Sequence, residues 1–444
     1  MKVGFVSLGC SKNLIDTEMA IGLFKNNNFE IVNDVEKAEI IVINTCGFIE
    51  SAKQEAIDTI LEMSEYKENG ICKFLVVMGC LVQRYSQELK KAMPEVDLFI
   101  TIDEYKHFWN EIEKLIGAAD SANSLRNINN NCTELDYMDR VISTGDKTAY
   151  LKIAEGCSNK CTYCAIPYIR GPYISRPMED ILEEAKKLAR HGIKELIVIA
   201  QDTTRYGEDL YGESKLSELL NNLCDIDGFE WIRFLYAYPE SITDELIDTV
   251  KKQDKICNYF DIPIQHISDK VLKRMNRRTT GKQIEELIIK IKTQIPDAIL
   301  RTSLIVGFPG ETQEDFEQLY NFVKKGYFNK LGVFMYSKED GTPAARLKEQ
   351  IHHATKKKRY NLIMNTARDI SRENLKGCIG KKYKVLVENS TFDKKFYVGR
   401  SYMDIPDTDG MVIIKSSKDY IVGKFVNCEI TDINNYDLIA KLNK

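Results

Sequence analysis

The sequence has no run approaching the ~20 uninterrupted apolar residues that a helical membrane span needs, so a spanning helix is not expected. No export leader is expected: the chain opens on the alternating stretch Lys2-Val3-Gly4-Phe5-Val6, which does not read as a basic region, apolar run and cleavage site. A soluble, cytoplasmic protein is the expectation. There is no strong excess of one charge. A formal net charge of −4 gives little reason to expect general nucleic-acid affinity, while leaving room for a local basic surface. Solenoid repeats are missing, and low complexity is confined to one Asn-rich stretch, Asn123, Asn127, Asn129, Asn130 and Asn131.

What is there is ordinary in bulk and unusual in one residue type. Hydrophobic residues at 43% and charged residues at 29% are globular values, and 444 residues exceed one core of usual size, so two or three domains are expected. Twelve cysteines are the anomaly. In a reducing compartment they do not form a disulfide framework, which leaves metal ligation or catalysis as the default.

Periodicity divides the chain. Residues 1–117 repeat strand then helix: strands 3–8, 40–44, 74–78 and 96–100, with helices at 14–25, 51–66 and 81–93. That alternation predicts a Rossmann-like α/β domain with a covered parallel sheet. Residues 118–147 read as a polar linker. Alternation resumes over 148–376, with strands at 149–154, 195–200, 231–236, 259–264, 299–306 and 331–336, which predicts a partial, open (β/α)6 barrel. In the helix at 355–375, Lys356-Lys357-Lys358-Arg359 reads as a solvated face in preference to a nucleic-acid site. Residues 377–444 carry five short strands without helices (383–388, 396–402, 410–415, 421–430 and 437–442), predicting an OB-like β-barrel.

Cys157, Cys161 and Cys164 form Cys-x3-Cys-x2-Cys directly after the first barrel strand, among Ser158, Asn159, Lys160 and Thr162. Soft thiolates at this spacing grip one metal centre. Structural zinc normally takes four protein ligands, and no fourth Cys or His lies nearby. Three thiolates on a 4Fe–4S cluster instead leave one iron open. Cys10, Cys46 and Cys80 each follow a separate strand of the first domain. Strand carboxyl ends share one edge of a parallel sheet, so these three can converge as ligands, against the alternative that they are small buried hydrophobes. That alternative covers Cys72, Cys132, Cys224, Cys257, Cys378 and Cys428.

The Cys-x3-Cys-x2-Cys motif resembles the signature of the radical S-adenosylmethionine (SAM) superfamily. With the N-terminal cysteine domain and the terminal barrel, the whole chain is similar to the methylthiotransferases, whose terminal unit is called TRAM. The resemblance implies that Cys157, Cys161 and Cys164 are catalytic and hold a 4Fe–4S cluster whose open iron chelates SAM, giving a 5′-deoxyadenosyl radical. It implies a second 4Fe–4S cluster on Cys10, Cys46 and Cys80 that takes part in sulfur insertion, with another SAM as methyl donor. Tyr163 matches the family's aromatic position near the adenine, and Gly307 and Gly310 of Gly307-Phe308-Pro309-Gly310-Glu311 lie where such enzymes shape the SAM site. By itself that loop would be an ordinary strand-ending turn.

Two branches of the family differ in substrate: one modifies tRNA adenosine beside the anticodon, the other an aspartate β-carbon in the twelfth small-subunit ribosomal protein. The stretches Ser7–Asn13, Asn44–Ile49, Gln201-Asp202-Thr203-Thr204-Arg205-Tyr206-Gly207 and Gly399-Arg400-Ser401-Tyr402 resemble the ribosomal-protein branch, where the tRNA branch more often has glutamine and methionine at Ser11 and Lys12. The terminal unit carries eleven Lys/Arg against nine Asp/Glu, a net of +2, modest for a tRNA grip, although members that bind the basic ribosomal protein often have a more acidic barrel. The resemblance further implies a reductant such as flavodoxin or ferredoxin, a sulfur donor, and tRNA as partner only in the other branch. Strand ends at a barrel's carboxyl face are the usual catalytic positions, so Gln201 and Asp202 are candidate cofactor-binding residues. His266 reads equally as a pocket hydrogen-bonding group or a structural histidine. Arg170 and Arg176 are candidates to pair with a substrate carboxylate, against surface roles.

Overall fold

A computed structural model describes residues 1–119, 134–391, 395–416 and 421–442; the Asn-rich stretch and Cys132 lie outside them. The first unit runs β1 (Lys2–Ser7), α1 (Ser11–Asn26), β2 (Glu30–Val32), β3 (Ile40–Thr45), α2 (Glu50–Asn69), β4 (Phe74–Gly79), α3 (Cys80–Ala92), β5 (Leu98–Ile100) and α4 (Phe108–Ala119). The five strands are parallel, in the order β2-β1-β3-β4-β5. Every residue of β3 is buried, as a β-branched run covered on both faces must be. The helix α2 covers it with Ala56, Ile60 and Met63, one face at helical spacing. The edge strand β2 is an addition to the sequence reading, three residues too short to show a period.

The second unit supplies six parallel strands. They are β6 (Thr148–Lys152), then, after the short pair β7 (Ala154–Glu155) and β8 (Ile174–Ser175) flanking α5 (Ile166–Ile169), β9 (Glu195–Ile199), β10 (Trp231–Phe234), β11 (Tyr259–Asp261), β12 (Ile299–Val306) and β13 (Lys330–Met335). They form two three-stranded sheets, β6-β9-β10 and β11-β12-β13, and the seam between them includes the parallel bridge Ile232–Ile256. Each strand splits its side chains: Leu196 and Val198 of β9 face the helices, while Ile197 and Ile199 pack with Ile15 and Met19 of α1. The N-terminal unit thereby lies against the inner side of the open barrel.

The last unit is a closed barrel of five strands, Lys382–Ser390, Phe396–Ser401, Val412–Lys415, Phe425–Asn434 and Asp437–Leu442. Its family-like Gly399–Tyr402 stretch turns inward. Arg400 is 3% exposed and donates to Glu195 at 2.5 Å, while Arg233 donates to Glu195 and to the Ser401 and Tyr402 carbonyls. Although burial alone would raise it, Arg400 and Arg233 hold the Glu195 carboxyl down at about 2. Breaking a buried pair on one side leaves the other charge uncompensated, so Arg400→Ala should cost about 3–5 kcal/mol. Denaturant titration measures this; a loss within error of zero would show that the plug does not hold the barrel on. The sign with pH follows from the lowered carboxyl: this stabilisation is full above the ordinary Glu pKa and is lost as pH falls through about 2.

The Lys356–Arg359 run is not wholly a solvated face. Lys357 and Lys358 are exposed, but Arg359 is buried against Glu311 at 2.9 Å and Lys356 donates to the Tyr336 carbonyl. Among the described residues no helix is long and apolar enough to cross a membrane.

Candidate active site

The strand order of the first sheet reverses between β1 and β3, and ligands of such sheets gather at that edge. Cys10 follows β1 as the N-cap of α1, Cys46 follows β3, and Cys80 opens α3 after β4. Two glycines make the approach possible. Gly9 has φ +90°, and a Cβ there would stand 2.7 Å from Cys46 Cβ; Gly79 has φ +102°, and a Cβ there would stand 2.7 Å from the Thr45 carbonyl oxygen. The three thiols feel one another: burial pushes Cys46 up to about 11, and the Cys80 and Cys10 charges push the same way. Burial also raises Cys80, with Arg170 pulling it down and Cys10 pushing it further up.

Asn13 ties this edge together. Its amide donates to the carbonyls of Leu8 (3.2 Å) and Thr45 (2.9 Å), its oxygen accepts from Cys80 Sγ (3.3 Å) and Arg170 (2.6 Å), and its backbone carbonyl accepts from Asn44 (2.7 Å). Arg170 also reaches Cys80 Sγ at 3.5 Å. Arg170 belongs to the barrel unit and is 7% exposed, so a surface role is excluded. It joins Lys152, Asp16 and the half-buried Glu155 in a set of two cations and two acids. Despite the cost of burial, Lys152 and Arg170 hold Glu155 well below the usual carboxylate range. Arg176 is likewise spent on structure, paired with Glu184 at 2.6 Å and stacked on Tyr137.

The Cys157–Cys164 loop follows β7 and is pinned from several sides. Asn159 donates to Asp202 at 2.7 Å, and Thr162 donates through its amide and hydroxyl to the Met275 and Arg274 carbonyls. Burial pushes Cys157 up to about 11 and raises Cys164, with Cys161 adding to both. Asp202 is fully buried; its oxygens accept from Asn159 and Thr204, and burial pushes it up to about 6. Gln201 donates to Glu155 at 3.1 Å, and its own oxygen is buried without a partner. Tyr163 packs with Phe308, Met275 and Tyr336, which brings it beside the Gly307–Gly310 turn. Glu311 closes that turn, accepting the amides of Gly307 and Phe308, and burial pushes it up to about 7 against the pull of Arg359. His266 is fully buried; Nδ1 accepts from the Ser268 amide, Nε2 has no partner, and burial lowers it to about 3, so the ring is neutral.

Cys80 packs against Ala165 and Ile169, in the short segment that follows Cys164. The donor chemistry suits iron–sulfur clusters: soft thiols, three to a set, of which burial raises Cys46, Cys80, Cys157 and Cys164 and so disfavours their thiolates unless a cation compensates. Among the described residues no three His, Cys, Asp or Glu groups close around a single-ion position. Cys72, Cys224, Cys257, Cys378 and Cys428 are buried in the apolar cores, as small hydrophobes.

Sequence reasoning passed over Asn13, Asp16, Lys152 and Glu155 as site residues. The available signal was Asn13, Asp16 and Thr17 on one face of α1: polar residues at the spacing where a helix buries its apolar stripe.

Comparison with known proteins agrees with this layout. Residues 2–101 match the Uncharacterized protein family UPF0004, residues 151–323 the Radical SAM superfamily and residues 379–442 the TRAM domain. The chain is 62% identical over 443 residues to a protein of Alkaliphilus oremlandii, spanning 100% of this chain and 99% of that one. It is 49% identical to a protein of Acetivibrio thermocellus, spanning 99% and 98%, and 50% identical to one of Clostridioides difficile, again spanning 99% and 98%. All three are named ribosomal protein uS12 methylthiotransferase RimO. Among solved structures, the radical S-adenosylmethionine methyltransferase TsrM of Kitasatospora setae aligns over 86% of this chain and 76% of its own, with TM-score 0.55 and 12% identity, a likeness of fold alone.

Proposed function

This chain belongs to the ribosomal protein uS12 methylthiotransferase family, and we propose that its reaction replaces one hydrogen on the β-carbon of a uS12 aspartate by a methylthio group. SAM and iron–sulfur clusters are the cofactors that its radical SAM and N-terminal domains imply. In this reading there are two 4Fe–4S clusters, one on Cys157, Cys161 and Cys164 and one on Cys10, Cys46 and Cys80. When bound, they and SAM supply the one-electron chemistry that removes an unactivated hydrogen and the sulfur and methyl that replace it. The observation that carries the proposal is the packing of Cys80 against Ala165 and Ile169. Hydrogen removal and sulfur delivery must reach one carbon, and that contact, between Cys80 and the segment after Cys164, supports the reading.

The protein's own residues orient and enclose. Asp202 holds Asn159 and so the Cys157–Cys161 loop; Asn13 and Arg170 hold the Cys80 thiol toward the barrel. Tyr163, Gly307 and Gly310 form the apolar wall and turn against which SAM would lie, and the Gln201 oxygen, without a partner among the described residues, offers it a hydrogen-bond acceptor. The partners are uS12, a reductant such as flavodoxin or ferredoxin and a sulfur donor, and the setting is the cytoplasm.

Mass spectrometry of uS12 and of tRNA from a strain lacking this protein tests the substrate. uS12 should lack a mass equal to methylthio in place of hydrogen, with tRNA unchanged. In vitro, deuterium at the target β-carbon should appear in 5′-deoxyadenosine. Deuterium arriving only from labelled tRNA adenine would overturn the uS12 reading and leave the radical chemistry standing.

A further inference from the structure

Lys12 stands apart from the balanced charges around it. It lies in the first turn of α1, two residues after Cys10, and is 7% exposed. Its ammonium sits 3.1 Å from the centroid of the Tyr236 ring, and among the described residues it makes no ion pair or hydrogen bond. The acid one turn along, Asp16, is spent on Lys152 and Arg170 at 2.7 Å each, and Glu155 is spent on the same two cations. Among the described residues, Lys12 is therefore a buried ammonium with no paired acid. It also occupies the end of a helix where the backbone dipole disfavours a cation. A buried charge without a counter-ion is costly, and an aromatic face offsets only part of that cost.

The ring beneath it is held in an unusual position. Tyr236 lies two residues past the end of β10, at the carboxyl side of the barrel, with φ +63°, a left-handed conformation rare for a bulky residue. Its backbone is clamped: the amide donates to Asp261 at 3.0 Å, and the carbonyl accepts from the Thr203 amide at 3.2 Å. Strain kept by such clamps concentrates at functional sites. Lys12 thus bridges the N-terminal cysteine edge and the barrel mouth, the place a carbon attacked from both must enter.

We propose that Lys12 is a specificity-determining residue that seats the side-chain carboxylate of the substrate aspartate, with the Tyr236 ring as its platform. The inference rests on the uS12 reading. The carboxylate is bonded directly to the β-carbon, so a charge-assisted hydrogen bond to it places the reacting carbon within one bond of a fixed point. A neutral nucleobase offers Lys12 no such partner, so the same contact selects protein over tRNA.

The test is a double-mutant cycle on the reconstituted full-length enzyme, measuring by calorimetry the binding of uS12 and of uS12 with its target aspartate changed to asparagine. Wild-type enzyme should prefer the aspartate form by about tenfold, as expected for one charged hydrogen bond. Lys12→Met should bind both forms equally, and Lys12→Arg should keep most of the preference. If Lys12→Met fails to fold, Lys12→Gln carries the same comparison. The proposal is overturned if wild type does not distinguish the two forms, or if the uncharged variants distinguish them as well as wild type does. It is equally overturned if those variants lose iron or SAM affinity while keeping the preference, which would make Lys12 a counter-charge to the cofactors. If uS12 in neither form binds or is modified by wild type, the uS12 reading itself fails and Lys12 falls with it.

Discussion

Replacing Cys157, Cys161 and Cys164 together by Ala should remove all reductive cleavage of SAM and about half of the roughly eight iron atoms expected for two 4Fe–4S clusters. The three thiols are the loop's soft donors, and Asn159 and Thr162 beside them are engaged elsewhere. Asn159 is bonded to Asp202 and Thr162 to Arg274. Those same bonds keep the loop in place when the thiols go, so the loss reads as lost ligation and not as unfolding. Iron and acid-labile sulfide analysis after anaerobic reconstitution, with 5′-deoxyadenosine quantified by chromatography, measures both effects. Full iron content in the triple variant would remove the cluster from this loop.

The complementary variant, Cys10→Ala with Cys46→Ala and Cys80→Ala, should abolish methylthiolation completely while SAM is still cleaved, again with about half the iron remaining. The N-terminal edge has its own scaffold. Asn13 donates to the Leu8 and Thr45 carbonyls and Asn44 donates back to Asn13, so the edge survives loss of the thiols. What changes is the electrostatics of Arg170, which loses Cys80 but keeps Asp16 and Glu155. A variant that retained all its iron, or still transferred sulfur to uS12, would sink the second cluster. One that stopped cleaving SAM would show the two sets to be inseparable.

Much of this site could be read along the chain because its logic is local or periodic. Cys-x3-Cys-x2-Cys is a spacing, and the placement of Cys10, Cys46 and Cys80 after successive strands follows from the alternation of elements alone. The parallel sheet and the open barrel follow from the same alternation, since a strand buried on both faces must be apolar throughout, and the five terminal strands from the loss of helices after residue 377. The edge strand Glu30–Val32 escaped because three residues carry no period.

What only the tertiary structure decided are the partners of charged side chains. Arg170 reads locally as a surface or substrate residue, yet its acids and its thiol come from Asp16, Glu155 and Cys80, two of them in another unit. Arg400 reads as part of a recognition barrel, yet it finds Glu195, some two hundred residues away in sequence. Lys12 reads as one more lysine, and becomes informative only because no described residue pairs with it while Asp16, one turn along, is held by Lys152 and Arg170. The physical reason is common to the two arginines. Apolar burial is written in periodic patterns that each segment repeats, whereas a buried charge is stable only with a counter-charge, and which segment supplies it is settled when the units pack.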